Sequence, residues 1–164
     1  MPIGLLKDIA GDCPAQVSLL GLDVGKKTIG LALCDPDHRV ATPLYTIKRT
    51  KFTRDIQELA KVIQEYEVGG FVIGLPLNMD GSEGPRAQST RDFALEMLNH
   101  PSVFGGDPWI ALWDERLSTV SVEGVVDNLV EKRKTKAESK SSGLIDKLAA
   151  QVILQTAIEF IGNS

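Results

Sequence analysis

The sequence predicts a mixed α/β domain, a five-stranded sheet with helices on both faces in the order βββαβαβαα. Three observations carry this. The first third alternates short β-branched and leucine runs with Gly and Asp/Pro turns, the pattern of a meander. The remainder alternates amphipathic stripes with short apolar runs, the pattern of strands reached by right-handed helical crossovers. A chain of 164 residues, 43% hydrophobic and 24% charged, can bury one core and is no disordered tail. We expect residues 1–164 to be one domain, with 1–16 a loose N-terminal segment and 132–143 a flexible basic loop.

Val17 to Val24 is a short apolar run ending in Asp23 and reads as a buried strand. Gly25, Lys26 and Lys27 turn the chain into a second strand, Thr28 to Cys34. Asp35, Pro36 and Asp37 make the next turn. Val40 to Ile47 is the third strand, where Pro43 predicts an edge or a bulge. Ile56, Leu59, Ala60 and Ile63 recur at helical spacing. Phe71 to Leu75 is wholly apolar, as in a sheet covered on both faces. The Pro76–Pro85 loop leads into a helix carrying Phe93, Ala94, Met97 and Leu98, and Trp109 to Trp113 is the fifth strand. Val122, Val125, Val126, Leu129 and Val130 stripe a further helix capped by Ser118 or Thr119, and Leu144 to Ile161 is the last. This is the order of the RNase H-like fold. It is also one half of the actin and sugar-kinase ATPase fold, so order alone leaves the chemistry open.

No apolar stretch approaches the ~20 residues of a membrane helix. Cys13 and Cys34 show neither metal spacing nor a disulfide framework, and no signal peptide is visible, so the expected home is the reducing cytoplasm. A net charge of −4 argues against coating of nucleic acid or membrane. The charge is uneven, however. Lys48, Arg49, Lys51 and Arg54 form one basic patch, and Lys132, Arg133, Lys134, Lys136 and Lys140 dominate another. Two such patches on an acidic body fit contact with polyanions at defined places.

Three acidic positions stand out. Asp23 ends a strand otherwise built of apolar residues and glycine, where a bare carboxylate is costly unless solvated, paired or metal-bound. Asp114 and Glu115 end the fifth strand, and ligands of open α/β sheets gather at such carboxyl ends. Strand alternation sends the two to opposite faces, so at most one looks at a given site. Asp146 shares an apolar helix face with Ala149, Ala150, Ile153 and Leu154, and the alanines let this helix end approach the sheet. Converging carboxylates suit hard cations, Mg²⁺ or Mn²⁺, and a two-metal site clamps both oxygens of a phosphoryl displacement. His38 and His100 have no ligand-spaced partners, so zinc is not expected.

Taken in order, Gly21-Leu22-Asp23-Val24-Gly25, Thr28-Ile29-Gly30, Val72-Ile73-Gly74-Leu75-Pro76-Leu77-Asn78-Met79-Asp80-Gly81, Asp114-Glu115-Arg116-Leu117-Ser118-Thr119 and Ile145-Asp146-Lys147-Leu148-Ala149-Ala150 span nearly the whole chain. Together they resemble the YqgF/RuvX family, Holliday-junction-resolvase-like proteins regarded as pre-16S rRNA nucleases. The resemblance implies an RNase H-like fold, a divalent-metal nuclease site, and a role in maturing the 5′ end of 16S rRNA, with the ribosome a possible partner. It implies Asp23, Asp114 or Glu115, and Asp146 as metal ligands, with Glu115 favoured on reach. The junction resolvases, to which the family is similar, carry an acid on the fourth strand, where this chain has Gly74-Leu75-Pro76. That departure moves the expected substrate from four-way DNA junctions towards single-stranded or structured RNA. The alternatives are a junction resolvase acting on DNA and a non-catalytic nucleic-acid-binding or ribosome-assembly module.

Arg116, beside the acids, is expected to hold a phosphate or to pair with a neighbouring acid. Lys26, Lys27, Asn78, Lys132, Arg133, Lys134 and Lys136 complete the expected nucleic-acid contacts. Aromatic residues make up 5%, too few for extensive base stacking.

Overall fold

The β-branched and leucine runs of the first third pair as an antiparallel meander. Its strands are β2 (Ser18–Val24), β3 (Thr28–Cys34) and β4 (Ala41–Lys48). The structure, a computed structural model, describes residues 3–117 and 142–163. Pro43 lies on β4, which is an edge strand, and the β3–β4 register shifts between Gly30 and Ala32, so the proline marks both an edge and an irregularity.

Helix α2 (Phe52–Tyr66) carries the chain across to β5 (Val68–Leu75), which lies parallel to β2. Helices α3 (Pro85–Met97) and α4 (Pro101–Phe104) lead to β6 (Ile110–Asp114), parallel to β5. The 3₁₀ turn Glu115–Leu117 follows, and the last helix, α5, runs from Ser142 to Gly162. The expected helix around Val122–Val130, its Ser118 or Thr119 cap, and the basic residues Lys132, Arg133, Lys134, Lys136 and Lys140 lie outside the described residues.

One expectation is corrected. From Ile3 the N-terminal segment is not loose: Ile3–Leu5 forms β1, parallel to β6, and among the described residues the sheet has six strands in the order β1-β6-β5-β2-β3-β4. Helix α1 (Leu6–Ile9) and a 3₁₀ turn (Ala10–Asp12) follow it. Leu6 is buried, and the Trp109 indole donates to the Ile9 carbonyl at 3.0 Å. A three-residue strand is too short to show a period, and its partner lies a hundred residues away.

Alternation along the strands sorts the core into two layers. Leu20, Leu22, Ile29, Leu31, Phe71 and Ile73 face α2 and α3. The opposite face sets the smaller Ala32, Val72 and Ala111 beside Leu19, Trp109 and Trp113, and receives Ala150, Ile153, Leu154 and Ala157 of α5. Where a glycine falls on this face the helix comes closer still. A Cβ on Gly21 would lie 2.8 Å from the Cβ of Leu154. Small residues on both surfaces thus set α5 tightly against the sheet and bring Asp146 down to it. Among the described residues no helix is long and apolar enough to cross a membrane.

Candidate active site

The site is organised along one row across the sheet. Asp23 of β2 points to the α5 face, because Leu22 and Val24 on either side of it belong to the other layer. Its direct partner on β3 is Gly30. On the other side runs β5, where Ile73 pairs with Leu22 and Gly74 comes next. Asp23 therefore stands between two glycines, and each vacates space for one of the other acids. A Cβ on Gly30 would meet the backbone carbonyl of Asp146 at 2.1 Å. A Cβ on Gly74 would lie 3.1 Å from both Cγ and Oε2 of Glu115. Asp146 thus sits over Gly30 and Glu115 over Gly74, with Asp23 in the row between them. The Thr28 hydroxyl, two residues before Gly30, donates to Oδ2 of Asp146 and fixes that carboxylate.

The electrostatics carry the mark of this crowding. Burial, then the charge of Asp146, pushes Asp23 up to about 6. Burial, then the charge of Asp23, pushes Glu115 up to about 7. Arg86, at the start of α3, acts in the opposite sense on both. Sequence reading missed Arg86. The available signal was its place just after Pro85, where a helix begins behind the loop leaving the carboxyl end of β5.

Asp114 does not join the row. The Arg116 guanidinium donates to it from Nη2 at 2.8 Å and from Nε at 3.1 Å, holding its carboxyl below the usual range. The alternation at the end of β6 therefore leaves Glu115 as the acid on the α5 face. Arg116 is paired with its neighbour, and its Nη1 donates to the Met79 carbonyl at 3.3 Å. The Asn78 amide donates to the Ser82 hydroxyl at 3.0 Å, inside a loop closed by its own bonds. Lys26 and Lys27 are exposed in the turn directly after Asp23.

Three hard oxygen donors, two of them destabilised as anions by their neighbours, fit a divalent cation and disfavour zinc. Among the described residues no three ligand-type side chains close around one point as a ready-made cage.

The raised acids predict a pH dependence of stability. Above its unfolded value each group binds its proton more tightly when folded, so that contribution is complete at low pH and is lost on raising the pH. With chelator present, the thermal midpoint should fall as pH rises from about 4 through about 6 and 7, the folded values of Asp23 and Glu115. Mn²⁺ should raise the midpoint by more at pH 8 than at pH 5, since it neutralises charge that exists only above those values. Scanning calorimetry with and without Mn²⁺ checks both statements; a cation effect independent of pH would contradict them.

Residues 17–159 match the RuvX family, described as Holliday junction resolvase. The chain belongs to the RuvX family. Over 159 residues it is 48% identical to a Rhodospirillum centenum protein named "Putative pre-16S rRNA nuclease", covering 97% of this chain and 82% of that one. A Rhodobacter capsulatus protein of the same name is 47% identical over 160 residues, covering 96% and 93%. Among solved structures, T. thermophilus RuvC in complex with Holliday junction substrate aligns with a TM-score of 0.56. That alignment covers 90% of this chain and 97% of the other at 15% identity, a likeness of fold. The RNase H-like class expected from element order is thus the fold of this RuvX chain, with one strand more than expected.

Proposed function

We propose that this chain is a divalent-metal-dependent endonuclease that hydrolyses phosphodiester bonds in the 16S rRNA precursor, at its 5′ end, in the cytoplasm. The observation that carries the reading is the row Asp146–Asp23–Glu115, set into the sheet by Gly30 and Gly74. Membership of RuvX supports nuclease chemistry, and the names of the two relatives supply the substrate.

Asp23, Glu115 and Asp146 would hold Mg²⁺ or Mn²⁺, with phosphate oxygens of the substrate and water filling the remaining positions. Such ions, when bound, activate water and neutralise charge on the departing 3′ oxygen. The chain's own residues do the rest. Thr28 holds the Asp146 carboxylate in one orientation. Before cations arrive, burial and the charge of Asp23 push Glu115 up to about 7, so near neutrality it is only part-ionised, which eases the repulsion from Asp23. Arg86 offsets charge at both acids and stands where a flanking phosphate can be gripped. Glu115 over Gly74 occupies the space an acid on β5 would need, so the third carboxylate comes from the end of β6.

The test incubates purified protein with a 5′-extended 16S precursor transcript, with and without Mn²⁺ or Mg²⁺. Shortening of the 5′ extension that requires the cation is the expected result. Binding without cleavage under either cation would overturn the reading in favour of a non-catalytic assembly module.

A further inference from the structure

The first basic patch takes no part in the chemistry above, yet the fold sets it against the acids. Lys48 is the direct cross-strand partner of Thr28, the residue that holds Asp146. Side chains directly opposite in an antiparallel pair share a face, with Cβ atoms about 5 Å apart. Lys48 therefore stands on the acid-bearing face, and it is exposed. The next residue, Arg49, ties the patch to the Asp23 turn. Its backbone N–H donates to the Lys27 carbonyl at 2.8 Å and its Nη1 to the Gly25 carbonyl at 2.6 Å. Its guanidinium also lies 5.6 Å from the centre of the Phe93 ring. Arg49 is thus a strut, and the exposed cations around it are Lys26, Lys27, Lys48, Lys51 and Arg54.

Chain order and strand pairing set these five one after another, and Lys48 and Arg54 line one cleft with Asp55 and Glu58. The strip starts at the turn after Asp23, crosses Lys48 and reaches Lys51 and Arg54 at the beginning of α2, which packs on the opposite face of the sheet. The strip therefore rounds the sheet beside β4, the edge strand. Among the described residues none of the five is in an ion pair, whereas Lys61, Arg91 and Arg116 are. A single file of unpaired cations starting at a cluster of carboxylates matches the spaced negative charge of one polynucleotide strand.

Resting on the nuclease reading, we infer that this strip is the track on which the phosphate backbone of single-stranded RNA runs from the acids around the β4 edge. Recognition is of phosphates, so affinity is steeply salt-dependent and indifferent to base sequence.

The test measures binding of a labelled single-stranded RNA of mixed sequence by fluorescence anisotropy, without divalent cation, across a salt series. Three proteins are compared: wild type, Lys51→Gln/Arg54→Gln, and Arg39→Gln/Lys61→Gln, which removes the same charge from exposed positions off the strip. The strip variant should lose about 1.4 from the slope of log affinity against log salt, two strand phosphates' worth. The control variant should keep the wild-type slope, with matching thermal midpoints in all three. Equal slopes in the two variants, or no RNA binding by wild type, would overturn the inference. A strip-dependent slope in a protein that cuts nothing supports the track and removes the nuclease reading. Intact cleavage with strip-independent binding does the reverse.

Discussion

Replacing Asp23 by Asn should abolish cleavage, with an expected rate loss on the order of 10³ or more, as for removing a charged group aimed at the reacting centre. The same change should not weaken the metal-free protein. Asp23 is the middle acid of the row, raised by burial and by Asp146, and it in turn raises Glu115. An amide of the same shape removes repulsion on both sides. At pH 8 in chelator, the Asp23→Asn protein should melt at or above the wild-type temperature, and Glu115 should titrate lower. Asp146→Asn should lose activity similarly, because an amide oxygen still accepts from Thr28 but no longer offers a full charge. Rates on the precursor transcript, read beside thermal melts, check the pairing of lost activity with retained stability. Full activity in both variants would reject the acids as the catalytic set.

The largest effect on the fold is expected at Gly30. A methyl group there would lie 2.1 Å from the carbonyl oxygen of Asp146, 2.4 Å from its carbonyl carbon and 3.0 Å from the amide nitrogen of Lys147. All three are backbone atoms and cannot rotate aside, so the start of α5 has to move. Gly30→Ala should cost about 1–3 kcal/mol, the usual range for overpacking. It should also lower cleavage by about 10²-fold, the effect of an ångström of misplacement at a reacting centre. Gly11→Ala is the matched control: nothing lies within 4 Å of its added carbon, and its stability should stay within about 0.5 kcal/mol of wild type. Denaturant unfolding and cleavage rates measure both. An unchanged Gly30→Ala protein would mean that the helix is not seated on the glycine.

Much of this was legible in the residues because the signals are local. The period-two and period-3.6 patterns set the strands and helices to within a few residues: Thr28–Cys34 coincides with the reading, and the last helix begins two residues early, at Ser142. β1 escaped because three residues carry no period and its pairing with β6 is long-range. The three acids could be nominated from their unlikely company, since an aspartate ending an apolar strand needs an external reason.

Between Asp114 and Glu115 the sequence favoured Glu115 on reach but left the pair open. Alternation said that the two diverge; only the packing of Arg116 on Asp114 and of Glu115 over Gly74 said which goes where. Arg86 is the same kind of case, one exposed arginine among several until the loop after β5 carries α3 towards the acids. The basic run at Lys48 to Arg54 was plain to read, but its attachment to the Asp23 turn depends on the Thr28–Lys48 pairing and the Arg49 strut. By itself the chain determined its longer elements and its family, because those depend on periodicity and motif order. The tertiary structure decided which carboxylates share one field and which cations border it, because Coulomb interaction depends on distance through space, and sequence separation does not measure that.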